Sequence, residues 1–387
     1  MIRFLLCLTL VAGQALRAQG PDFHLPMKMQ ELSAAAQRDS NDPATHYNLA
    51  LGLWQMELYE RADSQFRIAI QLDPDFAPPY LGLYAMRRAR LVYLIDHRQE
   101  IPPEVLARAE DVQLMLSQAI VADPMVDLSP LGQTVPPVRP VYVNGALLGW
   151  IHAVLQGVQD LFDGEYQAGY DELGAQIRTT PPRDSVSNEV LFWHGIAAFH
   201  LSHDTAAKVD FQRLASRAAS YAQSDTVVRF PLKTADYEYL LATAVYRLGD
   251  APGAVRHFHA ALVANAGLAM AHTRLAEIAE AGDDWEDAVA ERRAAADAAP
   301  ENSGLLVMLG ATMVKASRLA EAEVPLRQAV TENPRDFRAA FVLGVIEMQL
   351  GKPVEARAAL TAAIALTPSR FPVVRDDAKK RLASLPQ

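Results

Sequence analysis

Of 387 residues, half are hydrophobic but only 7% are aromatic, so Ala and Leu carry the apolar content and favour helices. The formal net charge of -10 and the lack of any long Lys/Arg run exclude the basic footprint of a nucleic-acid binder. A single cysteine, Cys7, excludes a disulfide framework and a thiolate metal site.

Residues 1–18 have the make-up of an export signal. Arg3 supplies the positive start, Phe4 to Ala12 is a short apolar run, and the small residues Gly13, Ala15 and Ala18 precede the polar Gln19-Gly20-Pro21. The run is too short to span a bilayer as a helix, which needs about 20 apolar residues. Cleavage after Ala15 or after Ala18 removes Cys7, and an uncleaved amphipathic helix is the alternative. The expectation is an exported, periplasmic or secreted chain without stable membrane insertion after cleavage.

Residues 19–43 form a lead-in, extended from Pro21 to Met29 and helix-compatible from Gln30 to Asp39. Residues 44–124 hold two helix pairs. In the first, Leu49-Ala50, Ala62, Phe66, Ala69 and Pro74 are in phase, with helices over about Ala44 to Glu57 and Glu60 to Leu72. Asp73-Pro74 ends the second helix, because a residue before Pro is pushed out of the α region. The second pair is elongated, with helices meeting at Ile101-Pro102-Pro103. Residues 125–144, with Pro130, Pro136, Pro137 and Pro140, break the helical pattern as a crossover loop. The segment could lie extended along a groove as an internal ligand, or serve as a tether that a partner captures.

Residues 145–232 read as degenerate pairs. Gly145 to Arg178 is one of them; Asn188 to Ser220 fits better through Gly195, Ala207, Phe211 and Leu214. An insertion of 13 residues follows, placed between about Ser220 and Leu232. Residues 233–368 are the regular part, where one pattern recurs every 34 residues. Leu241-Ala242, Leu275-Ala276, Leu309-Gly310 and Leu343-Gly344 are one register of it. Ala254, Ala288, Ala322 and Ala356 are a second, and Ala261, Ala295, Ala329 and Ala363 a third. Pro300, Pro334 and Pro368 close three units. Asp283 with Glu286 reads as a capping box, and Pro325 predicts a kink inside a second helix. Residues 369–387 are a capping helix and tail.

A constant period of this length signals a repeat array whose units stack to share a core. The small residue at the helix crossing, the Ala pair, the aromatic between them and the closing Pro resemble the tetratricopeptide repeat. The likeness covers about eight helix pairs, Ala44 to Pro368, and implies an all-α, right-handed superhelical solenoid of antiparallel pairs. It departs from the pattern where Arg292 takes the place that Phe258 holds one unit earlier and where Ala266 replaces the closing Pro.

The resemblance implies a concave surface lined by first helices: Tyr47, Asn48, Trp54, Phe192, Phe199, His200, Tyr239, Tyr246, Arg247, Arg274 and Phe341, with Trp193, Glu277, Val307, Lys315 and Arg338 beside them. Its aromatic rings suit a recognition surface. The expected function is a non-catalytic protein- or peptide-binding scaffold or adaptor at the cell envelope, without cofactor. A glycan- or solute-binding module using the same groove, and an enzyme with a site in 125–203, are the alternatives. His200 and His203, and His257 and His259, lack a third ligand in a recognisable motif, so no metal is assigned. No HExxH, phosphate-cradling glycine loop or serine elbow occurs. Oligomeric state is not readable.

Overall fold

A computed structural model describes residues 25–96, 109–129, 142–143, 146–147, 149–179, 186–221 and 233–386. The export signal expected over 1–18 lies outside them. So do the Pro-rich joint of the elongated pair, most of the crossover loop and the insertion after Tyr221.

Among the described residues the chain is helical except for one short ladder, in which β1 (Tyr142–Val143) pairs antiparallel with β2 (Ala146–Leu147). Helix α1 (Leu25–Arg38) is followed by the pairs α2 (Pro43–Gln55)/α3 (Tyr59–Leu72), α4 (Ala77–Asp96)/α5 (Ala109–Ala122), α6 (Gly149–Phe162)/α7 (Tyr166–Thr179) and α8 (Asn188–His200)/α9 (Asp204–Tyr221). The regular pairs are α10 (Thr234–Arg247)/α11 (Ala251–Ala264), α12 (Ala269–Ala281)/α13 (Trp285–Ala298), α14 (Ser303–Lys315)/α15 (Leu319–Glu332) and α16 (Phe337–Gln349)/α17 (Pro353–Leu366). The C-terminal α18 (Pro372–Ser384) caps them. The architecture is thus the all-α array of helix pairs that the 34-residue period implies.

Two local expectations change. The lead-in is already helical from Leu25, and α1 packs closely on Gly52, where an added Cβ would lie 2.6 Å from Met29 Sδ. The cap of α13 is Asp284, which accepts from the Asp287 N–H, while Asp283 lies in the left-handed region with φ 59°. Pro325, where a kink is expected, lies inside helix α15 and is buried there.

The turn inside a pair has one backbone solution. Glu57, Gly164, Ser202, Gly249, Asp283, Ser317 and Gly351 all have positive φ and close their first helices. At Gly249 its own N–H reaches Tyr246 O at 2.8 Å, and the Asp250 N–H reaches Val245 O at 3.2 Å. This left-handed cap satisfies carbonyls that the helix end would leave unpaired.

The repeated small residues make close helix approach possible. A Cβ added at Gly195 would come within 2.7 Å of the Phe211 ring, at Gly310 within 2.6 Å of Leu326 and at Gly344 within 2.8 Å of Leu360. Ala254, Ala288, Ala322 and Ala356, and likewise Ala261, Ala295, Ala329 and Ala363, are wholly buried. Gly310→Ala is therefore expected to destabilise by about 1–3 kcal/mol, because a packed interface resists even one extra methyl group. Urea denaturation of the two proteins measures it, and Leu326→Val in the same chain should restore part of the loss.

The chain forms two compact units, one built from Leu53–Asp63 and Ala77–Ala264, the other from Met27–Gly52, Ser64–Phe76 and Asn265–Gln387. In the first, Arg87 is buried and donates to Asp63 Oδ1 from Nε (3.0 Å) and Nη2 (2.6 Å). Its core is aromatic: Trp193 sits edge-on to Phe162 and Phe192, and Phe199 lies against Phe211.

In the second unit, the N-terminal segments dock on the regular repeats. Ser369 donates from N and Oγ to the Asp39 carboxylate at 2.9 and 2.6 Å. Arg370 reaches Asp42 at 2.7 Å, Asn302 reaches Asp75 at 2.9 Å, and Arg338 pairs with Asp73 at 3.2 Å. These joints link turns more than two hundred residues apart in sequence. Burial raises the Asp75 carboxyl above its ordinary range, against the opposing hydrogen bond from Asn302.

Candidate functional site

The residues expected on the first-helix face divide into three groups. Phe192, Phe199 and Tyr239 are 0% exposed, and Tyr47 and Trp54 are also buried. Tyr47 packs against Phe66 and Phe76, and Tyr239 against Phe258. These rings are core, because the space that the small residues open between helices is filled by the largest apolar side chains. An aromatic groove wall made of them is therefore corrected.

A second group is tied to neighbours. The Arg247 Nε donates to Asp204 at 2.5 Å, and its guanidinium lies over the Phe199 ring at 5.6 Å. His200 is half-buried and stacks on Tyr166 with centroids 3.9 Å apart. Burial pushes His200 below the ordinary imidazole range, with Asp123 and Asp127 opposing and Arg247 adding to it. Its Nε2 is buried without a hydrogen-bond partner among the described residues. Arg274 pairs with Glu277 at 2.7 Å, and the half-buried Phe341 lies under Arg381. Asn48 and Tyr246 are exposed, Tyr246 at 43%, as is Lys315 beside them.

Arg292, in the slot of an aromatic, is 5% exposed and satisfied within its own unit. Its Nε and Nη2 donate to Glu280 Oε1 at 3.1 and 2.9 Å, and Thr312 and Lys315 also donate to Glu280. Burial alone would raise the Glu280 carboxyl, but donors Lys315, Thr312 and Arg292 hold it below its ordinary range.

The first unit also holds a cavity of about 670 Å³, framed by the second helices α7 and α9 with α8 behind them. Tyr170, Gly174 and Arg178 line it from α7, His194 from α8, and Asp210 and Arg213 from α9. His194 Nδ1 meets the buried Asp210 Oδ2 at 2.5 Å, and Tyr170 stacks on the imidazole at 4.2 Å. Burial raises the Asp210 carboxyl, with the bond from His194 opposing. His203 stands edge-on to Tyr170.

None of this group except His203 stands out in the sequence. Tyr170, Gly174 and Arg178 are spaced by four on one face of α7, which is a weak signal. His194 and Asp210 flank the Gly195–Phe211 contact one position earlier on each helix, a pairing visible only when the two helices are aligned. Among the described residues no group of three or more His, Cys, Asp or Glu could hold a metal ion, and no helix is long and apolar enough to cross a membrane.

Stacked antiparallel helix pairs with small residues at every crossing define a helical-repeat solenoid. The family model of the tetratricopeptide repeat matches residues 239–303 and 308–370, so those residues form tetratricopeptide repeats. Repeats of this kind suggest a protein-interaction scaffold with protein partners. No curated protein matches the sequence. Solved structures similar to it include a crystal structure of MamA, 13% identical with TM-score 0.36, covering 48% of this chain and 96% of that one. A structure described as MamA AMB-1 is 17% identical with TM-score 0.34, covering 46% of this chain and 93% of that one.

Proposed function

We propose that this protein is an exported, non-catalytic adaptor at the cell envelope that holds a protein or peptide on the first-helix face of its repeats. The observation that carries this reading is the in-phase run of helix pairs over 239–370, whose architecture offers one exposed helix face per repeat. With the large rings committed to the core, that face is more polar than its sequence implies. In the first unit its exposed aromatic is Tyr246; in the second it offers the half-buried Arg274 and Phe341. Partly exposed aromatic and Arg side chains are the types that dominate binding energy at interfaces.

A photo-crosslinking residue placed at 246 tests the face, with one at Val263, 90% exposed on second helix α11, as control. One defined partner band at 246 and none at 263 is the expected outcome. Equal labelling at both positions would remove the first-helix face from consideration. Export is tested separately by fractionating cells that produce the full chain and sequencing its N-terminus; an intact Met1 in the cytoplasmic fraction would sink it.

A further inference from the structure

We propose that the cavity between α7 and α9 is a binding site for a small organic carboxylate bearing an apolar or aromatic body. The site is distinct from the first-helix face, and its test does not depend on a protein partner.

The charge balance of the walls comes first. Asp204 is engaged by Arg247 at 2.5 Å and Asp210 by His194 at 2.5 Å, so each carboxylate already has a close partner within the protein. Arg178 and Arg213 also line the cavity, and neither has a hydrogen-bond or ion-pair partner among the described residues. Arg213 is half-buried and Arg178 exposed. Two guanidiniums thus line the cavity from different helices, Arg178 from α7 and Arg213 from α9, and Arg213 acts on Asp210 only through its field, without a direct ion pair among the described residues.

Gly174 makes the space beside Arg178 and His194. A Cβ added there would lie 3.1 Å from Arg178 Nη1 and 3.2 Å from His194 Nε2, so both nitrogens converge on the place a side chain would fill. The contact of Nδ1 with Asp210 fixes the imidazole and leaves Nε2 facing the cavity. Tyr170 stacks over the same imidazole and supplies an aromatic wall.

The rest of the lining sets the ligand's body. Val209 is 52% and Leu248 44% exposed, and Ile177 is half-buried beside them. The cavity therefore has a cationic end and an apolar end, and its volume falls in the range of small-molecule sites. A planar monoanion matches the guanidinium fork, and an oriented pair of charged hydrogen bonds is the strong case. A dianion such as a phosphate monoester would meet the neighbouring Asp204 and Asp210 carboxylates, which disfavours it.

Titration calorimetry of the full chain with 3-phenylpropionate, 3-phenylpropionamide and phenyl phosphate tests the assignment. Binding of the carboxylate at least tenfold tighter than of the amide or the phosphate is expected. Arg178→Gln and Arg213→Gln should each weaken it about tenfold or more, with the circular dichroism spectrum unchanged. An acetylated tripeptide ending in Phe, compared with its C-terminal amide, distinguishes a chain terminus from a free acid as the source of the carboxylate. Equal affinity for acid and amide, tighter binding of phenyl phosphate, no binding at millimolar ligand, or unchanged affinity in both Arg variants would each overturn the proposal.

Discussion

Phe199→Ala is expected to cost about 3–5 kcal/mol of stability, the usual loss for emptying a buried aromatic site. Phe199 is 0% exposed, lies 5.2 Å from the Phe211 ring and carries the Arg247 guanidinium on its face. Removing the ring opens a cavity beside the Gly195 crossing and strips Arg247 of its platform. Tyr246→Ala, on the same face but 43% exposed, should change stability by no more than about 0.5 kcal/mol. Urea titrations followed by circular dichroism separate the two, and a Phe199→Ala protein as stable as the parent would show that the ring is not core. Because repeat arrays can lose cooperativity, the transition should also be followed by tryptophan fluorescence, since Trp193 is buried in the same unit.

The second large effect is expected at Glu280. Glu280→Ala leaves Arg292, only 5% exposed, as an unpaired buried cation, and breaking such a pair costs about 3–5 kcal/mol. The double variant Glu280→Ala/Arg292→Phe should recover most of this, because Phe258 fills the same position one repeat earlier and is itself buried. Failure of the double variant to recover would mean that the interface between these repeats has been reshaped around the ion pair. The sign with pH follows from the direction of the shift. The Glu280 carboxyl is held below its ordinary range, so its contribution is present above the unfolded glutamate value and is lost as pH falls through the lower folded value. Denaturation midpoints of parent and Glu280→Gln should therefore converge in acid.

Both predictions rest on positions that the 34-residue period locates but does not interpret. Phe199 and Tyr246 occupy the same helix of successive pairs, and sequence spacing alone treats them as equivalent groove rings. Burial separates them: Phe199 is 0% exposed and packs on Phe211, whereas Tyr246 is 43% exposed. Arg292 was visible as an irregularity in the aromatic slot. Its meaning came from Glu280, twelve residues earlier on the facing helix.

The sequence by itself determined the helix pairs, their antiparallel packing and the small-residue crossings, because each is a local rule repeated at constant spacing. It could not reveal the docking of Asp39, Asp42, Asp73 and Asp75 onto Ser369, Arg370, Arg338 and Asn302 in the second unit. Nor could it reveal the Tyr170, His194 and Asp210 cavity in the first. Those contacts depend on the accumulated rotation of one pair against the next, in which small changes at each crossing add up. A period fixes which residues meet within a pair, whereas only the tertiary structure decides which distant turns and second helices come together.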